Sequence, residues 1–437
     1  MTTQASPPTV YTSMHKGLNG DSTHRSQDRL YVDLNGVDVK CLASCVNNHA
    51  YDLHEVQQVD ESGAGYGGES GMHILEMITP ARIGGAETQL VTLTKQLTAH
   101  GNRVTVFCPE GRTLVDYLKR YGIDPLTWKT WGTMDIKSLL GLALFMRSQE
   151  VDVVHTHLAT ASFVGSLAAH LARKPSIATA HGFSAASWYR FADRVIAVSH
   201  AVKDHLVTQG IPAARIHAIH NGVLLDRYQP EPVEMAKRAC GFAPDVPRVA
   251  VVGRLSPEKG HVITLQAWRH VLTRYMNAQL MFIGEGKEEV TLRTIAIGMQ
   301  MSDRVEFYGF VPDPRRLMAA CDLIIVPSLK EGLGLTAIEA MALERPVIAS
   351  EVGGLSEVVI DNETGLLVPP GKPMALTAAI ISLLRDHRQA QRLAKAGRRR
   401  VENRFNATQQ VARVHDVLLS EIKAARLGSQ LPESRTR

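Results

Sequence analysis

The segment LIIVPSLKEGLGLTAIEAM, residues 323–341, joins a short apolar run, a loop with two glycines and a helical pattern. Leu323–Val326 is predicted to form a buried strand, and a helix is predicted to begin near Thr336. In α/β folds, ligands bind beyond the carboxyl ends of the strands, which is where this loop lies. The segment therefore predicts a parallel-sheet domain with a binding site between strand and helix.

The same alternation of strand and helix continues in both directions along the chain. Helical periods separate the strands, notably at Glu87–His100, Thr160–Arg173 and Ala201–Gln209. Strands are predicted at His73–Ile78, Arg103–Cys108, Val153–Thr156, Ser176–Ala180, Arg194–Val198, Arg215–Ile219, Arg248–Val252, Gln279–Ile283, Val305–Tyr308, Leu323–Val326, Pro346–Ala349 and Gly365–Val368. This pattern indicates an α/β protein with two doubly wound, Rossmann-like domains that face a central cleft.

Four prolines between Asp226 and Arg248 interrupt the alternation and mark the predicted linker. We assign residues 72–228 to an N-terminal domain and residues 229–404 to a C-terminal domain. Two long helical stretches close the chain, at Pro373–Arg400 and at about Ala407–Leu427. The second has an apolar face, which predicts that it packs against a domain.

Residues 1–71 differ in composition from the remainder. Gly, Ser, Asn and Asp are common, and four Lys or Arg stand against nine Asp or Glu, whereas the whole chain has a net charge of +5. We interpret this stretch as a disordered extension, or as a non-native segment before a natural start at Met72. The basic remainder suits an anionic substrate and peripheral contact with an anionic membrane.

Composition argues against several classes of protein. The 437 residues are 45% hydrophobic, and no apolar run approaches the ~18 residues of a membrane span. The amino terminus lacks a secretory pattern, and the five scattered cysteines suit free thiols in a reducing compartment. Aromatic residues are only 5%, without the basic clusters of nucleic-acid binders. We therefore expect a cytoplasmic protein, or one at the inner face of the cytoplasmic membrane, that does not bind nucleic acid.

A first candidate site lies in Gly253–Gly260, GRLSPEKG, directly after a predicted strand. Ser256 suits an N-cap and Pro257 the first helical position, so Lys259 is predicted in the first turn of a helix and Arg254 just outside it. Cations are disfavoured at a helix N-terminus because the macrodipole is positive there. A bound diphosphate would compensate both charges. The alternative is a solvated lysine and an arginine paired with a surface carboxylate.

A second candidate site follows Leu323–Val326. Glu331 lies in the loop and Glu339 about one turn into the helix, so both carboxylates can face one cleft. Carboxylates accept hydrogen bonds from the vicinal hydroxyls of sugars and riboses. Gly332 and Gly334 allow backbone N–H groups to approach a ligand closely. The alternative is two exposed surface glutamates.

These segments resemble the family 4 glycosyltransferases, which have the GT-B fold and a Glu-x7-Glu motif. Further matching segments lie in the same order from about Met72 to Leu427. They are Gly84–Glu87, Thr179–Gly182, Ala192–Ser199, Asn221–Val223, Gly253–Gly260, Gly284–Gly286, Val347–Glu357 and Asn362–Gly365. The combination is more specific than the Glu-x7-Glu motif alone.

The resemblance implies a hexosyltransferase that retains the anomeric configuration. The donor would be a nucleoside diphosphate sugar, UDP-linked rather than GDP-linked, bound by the C-terminal domain. The acceptor would be a glycan or a lipid-linked sugar at the N-terminal domain, in the synthesis of cell-envelope polysaccharide or lipopolysaccharide. The helix at residues 407–427 would return to the N-terminal domain. No cofactor and no metal are expected, since the sequence has no Asp-x-Asp.

The resemblance also implies roles for matching residues. Arg254 and Lys259 would hold the diphosphate, Glu331 and His181 would contact the donor sugar, and Glu339 would bind the ribose hydroxyls. The other donor-binding positions would be Gly84, Gly85, Gly253, Gly332, Leu333, Gly334 and Leu335. This sequence departs from the family at Leu333, where an aromatic residue is frequent, and in the short segment between His181 and Asp193.

Other features leave alternatives open. His155 and His157 share one face of a strand and would suit a metal, but without a third ligand nearby we favour structural or cleft-lining histidines. Trp128 to Trp131, WKTW, suits a membrane interface or packing on the N-terminal domain. For the whole chain, a nucleotide-sugar epimerase of GT-B fold and a non-catalytic sugar-nucleotide-binding protein are the alternative functions.

Overall fold

The computed structural model describes residues 71–79, 83–128 and 136–430. Its first part contains strands β1 (His73–Ile78), β2 (Arg103–Pro109), β3 (Leu126–Trp128), β4 (Val153–His157), β5 (Ser176–Ala180), β6 (Arg194–Ala197) and β7 (Ile216–Ala218). Helices α1 (Gly85–Ala99), α2 (Arg112–Arg120), α3 (Ile136–Ser148), α4 (Ala159–Ala172) and α5 (His200–Thr208) lie between them. The strands form one parallel sheet in the order β3-β2-β1-β4-β5-β6-β7.

The second part repeats this organisation. Helix α6 (Val233–Ala239) precedes strands β8 (Arg248–Val252), β9 (Gln279–Ile283), β10 (Val305–Gly309), β11 (Leu323–Val326), β12 (Val347–Ser350) and β13 (Leu366–Val368). The helices are α7 (His261–Leu272), α8 (Glu289–Gly298), α9 (Arg315–Ala319), α10 (Leu335–Ala342), α11 (Leu355–Val358), α12 (Pro373–Arg385), α13 (His387–Arg404) and α14 (Ala407–Gln430). The strands are parallel in the order β10-β9-β8-β11-β12-β13.

Each sheet reverses its strand order once. β1 lies between β2 and β4, and β8 lies between β9 and β11, so successive connections leave in opposite directions from β1 and from β8. Such a switch point leaves a crevice at the carboxyl ends of the two central strands, where ligands bind in open α/β sheets. The fold therefore provides one crevice per sheet, beside β1 and β4 and beside β8 and β11.

Helix α14 packs against the first sheet although it follows the second in sequence. Val411, Val414 and Leu418 are buried in one apolar cluster with Ile74 of β1 and Leu93 of α1. Their spacing places them on one face of the helix, as the sequence pattern predicts. The carboxyl-terminal helix thus belongs to the N-terminal core.

Three details differ from the sequence predictions. The stretch read as a single helix, Pro373–Arg400, is two helices, because Asp386 leaves the helical conformation and its side chain caps α13 by accepting a hydrogen bond from the Gln389 N–H at 2.9 Å. The proline-rich stretch Asp226–Arg248 contains α6 rather than only a linker. Strand β3 and helix α3 were not predicted. The prediction for residues 1–71 concerns a stretch of which only Gly71 is described, and it stays a prediction.

The packing of α14 predicts unequal effects for two leucines on the same helix. Leu418 is fully buried, whereas Leu427 is 65% exposed. Leu418→Ala is expected to lower the free energy of unfolding by about 2–5 kcal/mol, because the removed atoms leave a cavity. Leu427→Ala is the matched control and is expected to stay within about 0.5 kcal/mol of the unmodified protein. Urea unfolding measures both values, and equal losses would show that α14 is not part of the core.

Candidate active site

Loops at the carboxyl ends of four strands carry the residues that the sequence singles out. Gly84 and Gly85 follow β1, and His181 follows β5. In the second sheet, Arg254 to Lys259 follow β8 and Glu331 to Leu335 follow β11. The loops after β8 and β11 border the switch point of the second sheet, which is the crevice expected for a ligand.

The loops of the two domains touch each other. A Cβ built at Gly332 would lie 2.6 Å from the backbone oxygen of His181, so only glycine fits there without a shift. Ser199 of the N-terminal domain donates a hydrogen bond from Oγ to the Gly332 oxygen at 2.6 Å. A Cβ at Gly85 would lie 2.8 Å from Cδ1 of Leu335. These contacts bring the predicted donor-binding loops of both domains to one place.

Lys259 lies in a short helix with Ser256 as its N-cap and Pro257 at its first position, as the sequence predicts, but this helix is a single 3₁₀ turn and not the start of an α-helix. Residues Pro257–Lys259 form a 3₁₀ turn, and α7 begins only after Gly260. Gly260 has a left-handed φ of +72°, and a Cβ there would collide with the backbone oxygen of Pro327. The close approach to the end of β11 breaks the helical path, so the Lys259 ammonium precedes the helix and is directed towards the β11 loop.

Lys259 pairs with Glu331 across the crevice. Its Nζ lies 2.7 Å from Oε2 of Glu331, and Ser328 donates from Oγ to the same oxygen at 2.9 Å. The exposed Arg254 side chain makes no hydrogen bond or ion pair within the described part of the chain. One cation of the site is therefore held beside a carboxylate, and the other is available to a ligand.

Glu339 lies in the first turns of α10, half-buried beside Tyr228. The Tyr228 hydroxyl donates to Oε1 of Glu339 at 3.0 Å. Burial raises the pKa of Glu339 to about 7, although the hydrogen bond from Tyr228 acts in the opposite direction. This carboxyl consequently titrates near neutral pH, which the sequence did not indicate.

The backbone around α10 presents donors to the crevice. Gly334, with a φ of +98°, is the residue before α10, and Leu335 opens the helix. The first N–H groups of a helix have no intrahelical partner and bind anions. The Leu333 side chain is only 3% exposed, so this position offers its backbone rather than its side chain. Gly253 closes β8 on the other side of the crevice.

The glycine loop after β1 is held by a carboxylate. Glu87 is buried, and its Oε2 accepts a hydrogen bond from the Gly84 N–H at 2.7 Å. Burial raises the pKa of Glu87, while the hydrogen bond from Gly84 and the charge of Arg254 oppose that rise. Glu87 therefore holds the Gly84–Gly85 loop, which lies against Leu335 of the other domain.

A buried cluster joins Glu76 to three histidines in the N-terminal domain. His157 Nε2 lies 2.7 Å from Oε2 of Glu76, and His155 Nδ1 lies 3.1 Å from Oε1. On their far sides, His157 Nδ1 lies 3.0 Å from His181 Nε2, and His155 Nε2 lies 2.7 Å from the Thr179 hydroxyl. Burial acts to raise the pKa of Glu76, but both histidines outweigh it and lower the pKa to about 2.

This cluster corrects the expectation that no third group lies near the His155 and His157 pair. Glu76 and His155 are partners in the register between β1 and β4, although 79 positions separate them in sequence. A charged residue inside the otherwise apolar strand HILEMI was the available signal. Glu76, Tyr228 and the cap at Glu87 are the residues of the site whose positions the sequence reading missed.

The carboxylate of Glu357 also joins the two domains. Glu357 of α11 accepts hydrogen bonds from the backbone N–H groups of His200 and Ala201 at the start of α5, at 2.9 and 2.8 Å. Its Oε2 also lies 2.7 Å from His220 Nε2. An anionic side chain at a helix N-terminus is favourable. Glu357 therefore helps to hold the two domains together.

Comparison with known proteins identifies the chain. Residues 83–227 match Glycosyltransferase Family 4, and residues 234–400 match the Glycosyl transferases group 1 family. A D-inositol 3-phosphate glycosyltransferase of Xylanimonas cellulosilytica is 30% identical over 306 residues, covering 62% of this chain and 72% of the relative. This chain belongs to glycosyltransferase family 4. The enzyme is thus a glycosyltransferase, and the epimerase alternative has no support.

Two further similarities describe the fold and the relatives. The structure of Anabaena Alr3699/HepE in complex with UDP and glucose superposes with a TM-score of 0.72 at 25% identity, over 80% of this chain and all of that one. An Escherichia coli protein named UDP-Gal:alpha-D-GlcNAc-diphosphoundecaprenol alpha-1,3-galactosyltransferase is 24% identical, over 73% of this chain and 89% of its own. The predicted GT-B architecture of two Rossmann-like domains is confirmed.

Two expectations about membranes have different outcomes. Among the described residues, no helix of the glycosyltransferase has the length and apolar character needed to cross a bilayer. The Trp128 to Trp131 cluster lies outside the residues whose side chains are described, so its suggested membrane role stays a prediction.

Proposed function

We propose that this glycosyltransferase moves a hexose from a nucleoside diphosphate sugar to a hydroxyl of a glycan or a lipid-linked sugar, with retention of configuration and without a metal ion. The observation that carries this proposal is the arrangement at the switch point of the second sheet. There Lys259 pairs with Glu331 in the loop that leads into α10, and Arg254 follows the neighbouring strand β8. Cations suit a diphosphate, and a carboxylate suits sugar hydroxyls.

Named relatives support the class of donor and acceptor. The Anabaena neighbour was solved with UDP and glucose, and the Escherichia coli relative is named for UDP-Gal and an undecaprenol-linked acceptor. A Staphylococcus aureus relative, 25% identical over 62% of this chain and 78% of its own, is named a capsular polysaccharide biosynthesis glycosyltransferase. We propose a UDP-sugar rather than a GDP-sugar as donor, and a cell-envelope polysaccharide or lipopolysaccharide precursor as acceptor.

The environments of Glu331 and His181 favour retention of the anomeric configuration. Inversion needs a general base on the acceptor hydroxyl, opposite the leaving group. Burial lowers the pKa of His181 well below its usual value, so this imidazole is a weak base. Double displacement needs a free carboxylate nucleophile, but Glu331 is paired with Lys259 at 2.7 Å. The acceptor hydroxyl can instead attack the sugar on the face that the diphosphate leaves, and the diphosphate then takes up the proton of this hydroxyl. This route requires neither a general base from the protein nor a carboxylate nucleophile.

In this mechanism the cations replace a metal ion. As the bond to the sugar breaks, negative charge grows on the diphosphate, and Arg254 and Lys259 with the first N–H groups of α10 would stabilise it. Lys259 is already oriented by Glu331 and Ser328, so little reorganisation is required. Glu331 would at the same time accept a hydrogen bond from a hydroxyl of the sugar.

The decisive experiment follows the anomeric centre of the product by NMR with a screened panel of UDP-sugars and undecaprenol-linked acceptors. We expect retention, and undiminished turnover in EDTA. Arg254→Ala and Lys259→Ala are expected to lower kcat by about 10²–10³, the usual effect of removing a preorganised charge stabiliser. The exposed Arg269 on α7 provides the control Arg269→Ala, which should leave kcat unchanged. An inverted product, or a strict requirement for Mg²⁺ or Mn²⁺, would refute the mechanism, and donor binding without turnover would favour a non-catalytic binding protein.

The pKa of Glu339, raised to about 7, predicts a pH-dependent affinity for the donor. The ionised carboxylate accepts hydrogen bonds from both ribose hydroxyls, so binding releases a proton wherever the free enzyme holds Glu339 neutral. The donor Kd should therefore rise up to about tenfold per pH unit as the pH falls below about 7, and level off above it.

Calorimetry with an intact UDP-sugar measures this dependence, because its diphosphate diester does not titrate in the same range. Glu339→Gln should bind more weakly and lose the pH dependence. Tyr228→Phe should move the transition to higher pH, since the lost hydrogen bond favours the ionised carboxylate. A pH-independent Kd in the unmodified enzyme would disprove the assignment of Glu339 to the ribose.

We further propose peripheral contact with an anionic membrane through α3. Ile136, Leu140 and Leu144 are 70%, 51% and 64% exposed and recur every four residues on one face of that helix. A regular exposed apolar face of this kind suits the boundary between lipid headgroups and acyl chains. Together with the basic charge of the chain, it would bring a lipid-linked acceptor within reach.

Cosedimentation with anionic lipid vesicles tests the membrane proposal. Leu140→Glu combined with Leu144→Glu should abolish most of the binding, because two charges enter the apolar face. Val290→Glu combined with Ile297→Glu on α8 is the control, since these residues are equally exposed in the other domain. Equal binding by all three proteins would refute the proposal.

A further inference from the structure

The cluster around Glu76 extends from the interior of the first sheet to the crevice. Glu76, His155 and His157 are 0%, 1% and 2% exposed, so their hydrogen bonds lie inside the domain. His181, in contrast, lies at the end of β5 against Gly332 of the other domain. Of this cluster only His181 has a predicted contact with the donor sugar, and the proposed mechanism gives the buried groups behind it no role.

The ionised state of Glu76 determines where two protons lie. A carboxylate can only accept hydrogen bonds, and the pKa of Glu76 is lowered to about 2 by its histidine partners despite burial. The nitrogens that face it must therefore be protonated. These are Nε2 of His157 and Nδ1 of His155, at 2.7 and 3.1 Å from the carboxylate.

The same reasoning extends one step further, to His181. Burial lowers the pKa of His157, so its ring is neutral and its second nitrogen, Nδ1, is an acceptor. His181 Nε2 lies 3.0 Å from that nitrogen and must donate, because two acceptors would repel each other. Burial lowers the pKa of His181 well below its usual value, so its Nδ1 carries a lone pair. That nitrogen has no hydrogen-bond partner within the described residues and is not sealed from solvent.

A metal ion would explain the cluster less well. Zinc lies about 2.0–2.2 Å from nitrogen and oxygen ligands, which in a tetrahedron places two ligand atoms about 3.3 Å apart. The 2.7 Å between His157 Nε2 and the Glu76 carboxylate is shorter than that, and is the distance of a charge-assisted hydrogen bond. Both nitrogens of His155 and of His157 already have hydrogen-bond partners.

We propose that Glu76 and His157 are positioning residues that hold His181 in the neutral Nε2–H tautomer, so that Nδ1 is presented as an acceptor for a hydroxyl of the bound sugar nucleotide. The proposal rests on the proposed function for the identity of the ligand, but not for the tautomer. His155 also donates a hydrogen bond to Glu76, but its other nitrogen contacts Thr179 and not His181, so it does not set the His181 tautomer directly.

The first test is a nitrogen-15 NMR measurement of His181 at neutral pH in the ligand-free enzyme, with His181→Gln used to assign the signals. We expect a protonated Nε2 and an unprotonated Nδ1. Addition of an intact UDP-sugar should shift the Nδ1 signal as it accepts a hydrogen bond. A protonated Nδ1 in the free enzyme would overturn the proposal, whatever the donor proves to be. The expected tautomer with no shift on addition of a UDP-sugar that the enzyme turns over would overturn the assigned ligand group.

Two substitutions separate positioning from a structural effect. In His157→Gln the side-chain amide can still donate to Glu76, but the contact with His181 is lost. In His155→Asn the side-chain amide can likewise still donate to Glu76, and only the hydrogen bond with Thr179 is lost. We expect His157→Gln to give mixed His181 tautomers and a kcat/KM lowered about tenfold, the worth of one hydrogen bond. His155→Asn should keep the single tautomer and a nearly unchanged kcat/KM. Equal effects of the two variants on the His181 tautomer and on kcat/KM would overturn the proposal. One equivalent of tightly bound metal in the purified enzyme would also overturn it. If either variant fails to fold, the NMR measurement on the unmodified enzyme remains decisive.

Discussion

The close approach of two backbones at Gly332 is the constraint on which the site depends. Because this position has no side chain, the loop after β11 can lie directly against the His181 backbone of the other domain. The buried hydrogen bond from Ser199 to the Gly332 oxygen then fixes the same contact from the N-terminal side. Glu331 is the neighbouring residue, so the position of its carboxylate relative to His181 follows from this backbone contact.

Much of this arrangement could be predicted from the sequence because it is local. Each strand, with the loop and helix that follow it, is a continuous segment, and Arg254, Lys259, Glu331 and Glu339 all lie in two such segments of one domain. The rule that ligands bind at the carboxyl ends of parallel strands then places both segments at the same edge. The roles of these side chains stay predictions, whereas the structure shows that the two segments lie together.

The sequence did not reveal which distant segments are in contact. It also did not reveal where such a contact interrupts a helix or shifts a pKa. Glu76 meets His155 only because β1 pairs with β4 in a particular register, which no periodicity reveals. The helix expected at Lys259 is limited to one 3₁₀ turn, because Gly260 closely approaches Pro327, a residue of another strand's loop. The raised pKa of Glu339 likewise depends on burial beside Tyr228, more than 100 positions earlier in the chain.

The distribution of hydrogen-bonding groups fits the two ends of a sugar nucleotide. A diphosphate can only accept, and it would meet the Arg254 and Lys259 cations and the free N–H groups at the start of α10. Sugar and ribose hydroxyls must also donate, and they would meet the Glu331 and Glu339 carboxylates and, in the tautomer proposed here, Nδ1 of His181. Were His181 the opposite tautomer, its Nδ1–H would be one more donor in a crevice where donors already surround the phosphates. The buried carboxylate of Glu76 would prevent this through His157, at a distance from the ligand and without occupying space in the crevice.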